Sequence, residues 1–154
     1  MPPGFPLEPR SACDLLADQG LPTAGGYLPA GGGTLICSSH RKALPLGDAA
    51  PHSLRFAAQG TAEGVTELTL ELELRSPGDV QAALRMLLRS AETLTERVLR
   101  TSVPAQAQVA IRSGVSGTWS LAGAILKVER VSTFATGIVV TLEQVAASRT
   151  DRSR

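Results

Sequence analysis

Residues 65–75 read Val-Thr-Glu-Leu-Thr-Leu-Glu-Leu-Glu-Leu-Arg and carry the most regular pattern in the chain. Leucines occupy positions 68, 70, 72 and 74, and glutamates occupy positions 67, 71 and 73. Successive side chains of a β-strand point to opposite faces, so this alternation predicts a strand with one apolar and one polar face. A strand with one solvated face is typical of an antiparallel or mixed sheet, because parallel strands are usually covered on both faces.

A long helix is predicted directly after this strand. Ser76-Pro77-Gly78-Asp79 combines a Ser N-cap, a Pro at the first helical position and an acidic residue in the first turn. The apolar residues that follow recur at helical spacing, at Val80, Leu84, Leu87, Leu88, Ala91, Leu94 and Val98. We therefore predict a helix over residues 77–99 that lies across the leucine face of the sheet.

The remaining elements are shorter. A second helix over residues 104–113 begins near Pro104 and ends at Gly114. Short apolar or alternating runs predict strands at 34–37, 54–58, 65–75, 118–121, 124–131 and 137–143. The predicted fold class is α+β: an antiparallel sheet of about five or six strands, packed on one face by the helices 77–99 and 104–113.

The first third of the chain differs from the rest in composition. Residues 1–51 contain eight of the ten prolines and eight of the fifteen glycines. We predict a Pro/Gly-rich N-terminal segment over residues 1–32, with one short helix from Ser11 to Gly20 and a surface loop over residues 25–33. A single α+β core then covers residues 33–145, and residues 146–154 form a disordered tail.

Composition excludes several classes of function. The 154 residues carry a net charge of +1 and 3% aromatics, which disfavours nucleic-acid binding because that needs excess basic charge or clustered aromatic rings. No apolar run is long enough for a membrane span. No signal peptide is visible, which predicts a cytoplasmic protein, or a periplasmic or cell-envelope protein if the natural N-terminus is longer. Thirteen arginines against two lysines are typical of a GC-rich bacterial genome.

The two cysteines raise the question of a disulfide. Cys13 and Cys37 are separated by a flexible segment rich in glycine and proline, which would let them meet. Cytosolic thiols stay reduced, so the missing signal peptide favours free thiols, and both states stay open. Together with His40 and His52 the cysteines offer metal-ligand types, but tight ligand pairs are missing and we predict no metal site.

Motifs for catalysis or phosphate binding are not found. Ser39 and His40 are sequence neighbours just after the predicted strand 34–37, and neighbouring residues on a strand point to opposite faces, so a nucleophile–base pair is not indicated. The segment 114–117 lacks the spacing of a nucleophile elbow, and Gly31–Thr34 lacks the lysine of a phosphate loop. We predict a protein that is not an enzyme and binds no cofactor.

Two groups of residues are candidates for an interface. Glu67, Glu71 and Glu73 share the polar face of one strand, which is either simply solvated or an acidic surface for a basic partner. Trp119 is the chain's one tryptophan and is either a packing residue or an interface anchor.

The element order is similar to that of small bacterial secretion chaperones, in which helices pack on an antiparallel sheet. Cys37-Ser38-Ser39, the central helix and the Pro104–Ile111 stretch also resemble an uncharacterised family of small bacterial proteins, over most of residues 35–143. This second resemblance implies no function.

Three functional hypotheses follow. The first is a non-catalytic protein-binding module of a bacterium, of chaperone, adaptor or immunity type. The second is a cell-envelope protein whose N-terminal region is joined to the core by a disulfide. The third is an enzyme whose site is not recognised. Because an open antiparallel sheet ends in edge strands, we expect a protein partner or self-association.

Overall fold

A computed structural model describes residues 5, 8–44, 51–132 and 136–145. Its helices are α1 (Pro9–Cys13), α2 (Val80–Leu99) and α3 (Ala105–Ser113), with a 3-10 turn at Ala17–Gln19. Its strands are β1 (Thr23–Gly31), β2 (Thr34–Ser39), β3 (Lys42–Ala43), β4 (Ser53–Thr61), β5 (Gly64–Leu74), β6 (Gly117–Leu121), β7 (Ala124–Ser132) and β8 (Thr136–Gln144).

All eight strands belong to one antiparallel sheet. The strand order is β1-β2-β4-β5-β8-β7-β6, and the short β3 pairs with β4 beside this path. The sheet thus consists of an N-terminal group of strands and a C-terminal meander, which meet where β5 pairs with β8. The predicted α+β class is confirmed, whereas the predicted count of five or six strands was too low.

One missed strand is β1, which occupies most of the segment predicted as a loop. Its hairpin with β2 turns at Gly32-Gly33, where both φ angles are positive (61° and 81°), as a type I′ turn requires. Glycine and proline made this stretch look irregular, but an edge strand tolerates both. The glycine run is therefore a hairpin turn.

The apolar face of β5 is buried as predicted. Leu68, Leu70 and Leu72 have no exposed surface, and their partners on β8 are Leu142, Val140 and Ile138. Helix α2 packs against β5 and α3, and Leu87 in the middle of its apolar stripe is fully buried. The helix therefore covers the leucine face, and burial of this face supplies the main apolar core.

Helix α2 begins at Val80, three positions after the predicted start. Asp79 adopts the left-handed conformation (φ 56°), and no side chain caps the helix. The Gly78 carbonyl accepts a hydrogen bond from His52 Nε2 at 2.6 Å, so the residues before Val80 form a turn instead of a first helical turn. The second helix and its end at Gly114 agree with prediction to within one residue.

The N-terminal part of the chain contributes to the same core. Leu16 and Leu21 are at most 1% exposed, and the Phe5 backbone N–H donates to the Val65 carbonyl. The short helix ends at Cys13, before the predicted Gly20, and the 3-10 turn follows it. The 3-10 turn is joined to helix α2 by an ion pair. Its Asp18 forms a bidentate ion pair with Arg97 of α2, with N–O distances of 2.8 and 2.9 Å. This hydrogen bonding lowers the pKa of Asp18. The predicted disordered tail, 146–154, lies outside the described residues.

Candidate functional site

The free edge of β6 is the clearest candidate for a binding site. Within the described residues, β6 pairs only with β7 and leaves its other side open. Its five residues, Gly-Thr-Trp-Ser-Leu, include no charged residue and no proline. Charged residues and prolines on natural edge strands help to prevent pairing with another chain, and β6 carries neither.

The hairpin turn between β6 and β7 fixes which backbone groups face outward. Ala122 and Gly123 form the two-residue turn, with φ angles of 49° and 82°, and Leu121 pairs with Ala124. In such a hairpin the closing pair is hydrogen-bonded, and hydrogen-bonded pairs alternate along the ladder. The N–H and C=O groups of Thr118 and Ser120 therefore point away from β7, to the open side.

Trp119 lies on the helix-covered face of this edge. It pairs with the buried Leu126 and packs, half-buried, against the core. Its indole covers Gly117, where an added Cβ would meet the ring carbons. A glycine at this position thus gives the ring room to lie along its own strand, at the end of the sheet.

The opposite edge of the sheet is less suitable for pairing. Strand β1 contains Pro29, which has no N–H to donate, and positive φ angles at Gly25 and Gly26. Its pairing with β2 also shifts register at two places. These irregularities disrupt the straight row of donors and acceptors that an added strand needs.

Two of the three predicted acidic interface residues are paired with arginines of the chain itself. Glu71 contacts Arg55 at 3.0 Å and Arg41 at 3.1 Å. Glu73 lies 3.7 Å from Arg41 and 3.8 Å from Arg75. This pairing neutralises much of the acidic charge that would attract a basic partner.

Glu67 has a different environment on the same face. It stands directly opposite Glu143 on β8. Burial raises the pKa of Glu67, repulsion by Glu143 raises it further, and Lys127 opposes both effects. The pattern of alternating residues gave no sign of this like-charged pair, because strand pairing decides it.

The predicted interface residues do not form one site. Trp119 lies on the helix-covered face at the edge, whereas the three glutamates lie on the outer face of β5. Strands β7 and β8 stand between them. The glutamates and the tryptophan therefore belong to two separate surfaces of the sheet.

Cys13 and Cys37 are placed at disulfide distance, with their Cα atoms 5.9 Å apart. Both side chains are at most 4% exposed, and they connect α1 to β2. His40 is exposed, whereas His52 is buried. Among the described residues, no three His, Cys, Asp or Glu side chains are grouped to hold a metal ion.

His52 serves as a hydrogen-bonding link between two backbone segments. Its Nδ1 accepts from the Arg75 N–H at 3.1 Å, and its Nε2 lies 2.6 Å from the Gly78 carbonyl. These partners require the neutral ring with its proton on Nε2. The histidine thereby joins the start of β4 to the turn before α2, a role that no sequence motif indicates.

None of the helices in the described part of the chain combines the length and apolar character that crossing a bilayer requires. Comparison of the chain with family models, with curated proteins and with solved structures gives no match.

Proposed function

We propose that this protein is a non-catalytic protein-binding module that binds its partner through the free edge of β6. The observation that carries the proposal is that β6 carries no charge and has one unpaired edge, to which the backbone groups of Thr118 and Ser120 point. An extended segment can add to such an edge as a further strand, with main-chain hydrogen bonds supplying affinity. Trp119 beside it supplies an aromatic anchor of the kind that is enriched at interfaces.

Site-specific photo-crosslinking in cells that make the protein tests this proposal. A photoreactive residue replaces Ser120 at the edge, and a matched control replaces Arg85, which is exposed on α2. We expect a covalent adduct at position 120 and little or none at position 85. The additional change Thr118→Pro removes one outward N–H without touching a hydrogen bond to β7, and it should reduce the adduct. Equal labelling at both positions contradicts the proposal.

The cysteine pair favours a compartment in which disulfides persist. We infer that the module works in the periplasm or cell envelope, because cytosolic reductants keep such thiols reduced. Thiol titration of the protein, isolated from its native cells under acid quench and then denatured, tests this location. We expect no reactive thiols without reductant and two after reduction. Two reactive thiols before reduction indicate the cytoplasm instead.

A further inference from the structure

We propose that a second copy of this chain occupies the β6 edge, with the two β6 strands antiparallel about a two-fold axis at Trp119. This inference rests on the proposed function and names the partner of the same edge. A two-fold interface requires one surface to complement itself, so the edge must satisfy its own donors and acceptors.

The backbone groups meet this requirement. In the register centred on Trp119, Thr118 stands opposite Ser120 of the second copy, and Ser120 stands opposite Thr118 of the second copy. These are the two residues whose N–H and C=O groups point to the open side. Directly opposed residues of this kind exchange both backbone hydrogen bonds, so the register satisfies every outward group of Thr118 and Ser120.

Side chains on the outer face are also compatible with this register. Thr118 lies beside Lys127, and Ser120 lies beside Ile125, on β7. On the outer face, the row of neighbouring side chains across the junction runs from Lys127 and Thr118 of one copy to Ser120 and Ile125 of the second copy. Only small hydroxyl side chains meet at the centre, and no two like charges stand opposite each other, which would oppose pairing.

On the other face, the two tryptophans become neighbours. Trp119 stands opposite Trp119 of the second copy in a pair without hydrogen bonds, the closer of the two pair types. Each indole lies along its own strand over Gly117 and is half-buried, so the second ring covers surface that is now exposed. Because a five-residue edge is short, we expect a weak dimer whose population depends on concentration.

Two double variants test the pairing and its register. T118K/S120K places an introduced lysine opposite another lysine at both positions of the proposed dimer. T118K/S120E places each lysine opposite a glutamate, and the two variants differ only at position 120. Both positions are exposed, so we expect both variants to fold, which circular dichroism checks. Sedimentation velocity then gives the mass from about 1 µM to about 1 mM, the range of weak complexes.

We expect concentration-dependent dimers for the wild type and for T118K/S120E, and a monomer for T118K/S120K. Fluorescence of Trp119, the one tryptophan, should shift to shorter wavelength as the wild type associates. A wild type that stays monomeric at the highest concentration overturns the second copy as partner. A dimer that survives in T118K/S120K, or that does not return in T118K/S120E, overturns the register. A crosslinked partner of a different mass at position 120, with a monomeric wild type, leaves the proposed function standing without self-association.

Discussion

At the scale of single residues, His52 is expected to contribute to the free energy of unfolding through its two hydrogen bonds, although it belongs to no sequence motif. His52→Ala leaves the Arg75 N–H and the Gly78 carbonyl without their partner, at a cost of about 1–3 kcal/mol. Urea unfolding measures this change. His40→Ala, at an exposed position, is the control and should change stability by less than about 0.5 kcal/mol. Equal effects of the two substitutions would show that the link contributes nothing.

Ala122 is a strained residue in the β6–β7 turn. It adopts φ 49°, a left-handed conformation in which a non-glycine residue pays roughly 1–2 kcal/mol. Asn-Gly is a preferred type I′ pair, so Ala122→Asn should raise stability by about 1 kcal/mol, read from thermal unfolding. Ala24→Asn, on an exposed strand position with ordinary φ, should give no gain. A gain at position 24 that matched the gain at 122 would refute the strain argument.

The pH dependence of stability should reveal the Glu67–Glu143 pair. The folded-state pKa of Glu67 is raised above its unfolded value, so its ionisation destabilises the fold once the pH rises through the unfolded pKa. Glu67→Gln should therefore stabilise the protein at pH 7, by less than about 1 kcal/mol, and have no such effect at pH 3. Glu71→Gln removes the charge that pairs with Arg41 and Arg55 and should not stabilise the protein at pH 7. Urea unfolding at both pH values decides between these outcomes.

At the scale of elements, helix α2 is the main cover of the sheet. Leu87 is fully buried in its apolar stripe, so Leu87→Ala should cost about 2–5 kcal/mol through lost burial and a cavity. Arg85→Ala on the exposed side of the same helix is the matched control. Chemical denaturation of both variants measures the difference, and a loss below roughly 0.5 kcal/mol for Leu87→Ala would contradict this packing.

Elements with strong periodicity were predictable from the sequence, and elements that depend on distant partners were not. Alternation predicted β5 and β8, and the i, i+3, i+4 pattern predicted α2, because those patterns reflect burial on one face. Strand β1 was missed because its glycines and proline are tolerated only at an edge, and edge position follows from the whole topology. The helix start was misplaced because His52 binds the Gly78 carbonyl from 26 residues away.

The candidate site was only partly predictable for the same reason. The sequence placed Trp119 near a strand and predicted edges in an open sheet, but it did not show which strand lay at the edge. The outward groups of Thr118 and Ser120 depend on the position of the Ala122-Gly123 turn. The ion pairs of Glu71 and Glu73 involve Arg41, which lies between β2 and β3 on the far side of β4, so its side chain meets β5 only in the folded sheet.

At the scale of the whole molecule, the cysteine pair ties the N-terminal part to the sheet. The bond would close a loop with a sequence separation of 24 and restrict the unfolded chain, which is worth roughly 3–4 kcal/mol in the chain-entropy model. Reductant should therefore lower the stability of the wild type by about this amount in a urea titration. The double variant C13A/C37A should show no response to reductant. A wild type as stable with reductant as without it would contradict a structural bond.

The meeting of β5 and β8 at the centre of the sheet has a consequence for synthesis on the ribosome. Strand β5 ends at Leu74, and its partner β8 begins only at Thr136, after α2, α3, β6 and β7 have been translated. A nascent chain halted before Thr136 holds the N-terminal strands with one side of β5 unpaired, which is an open template for pairing with other chains. At translation rates of about 5–20 residues per second, this exposed interval lasts several seconds. Strand β5 is thus the segment of the nascent chain that we expect a cellular chaperone to bind.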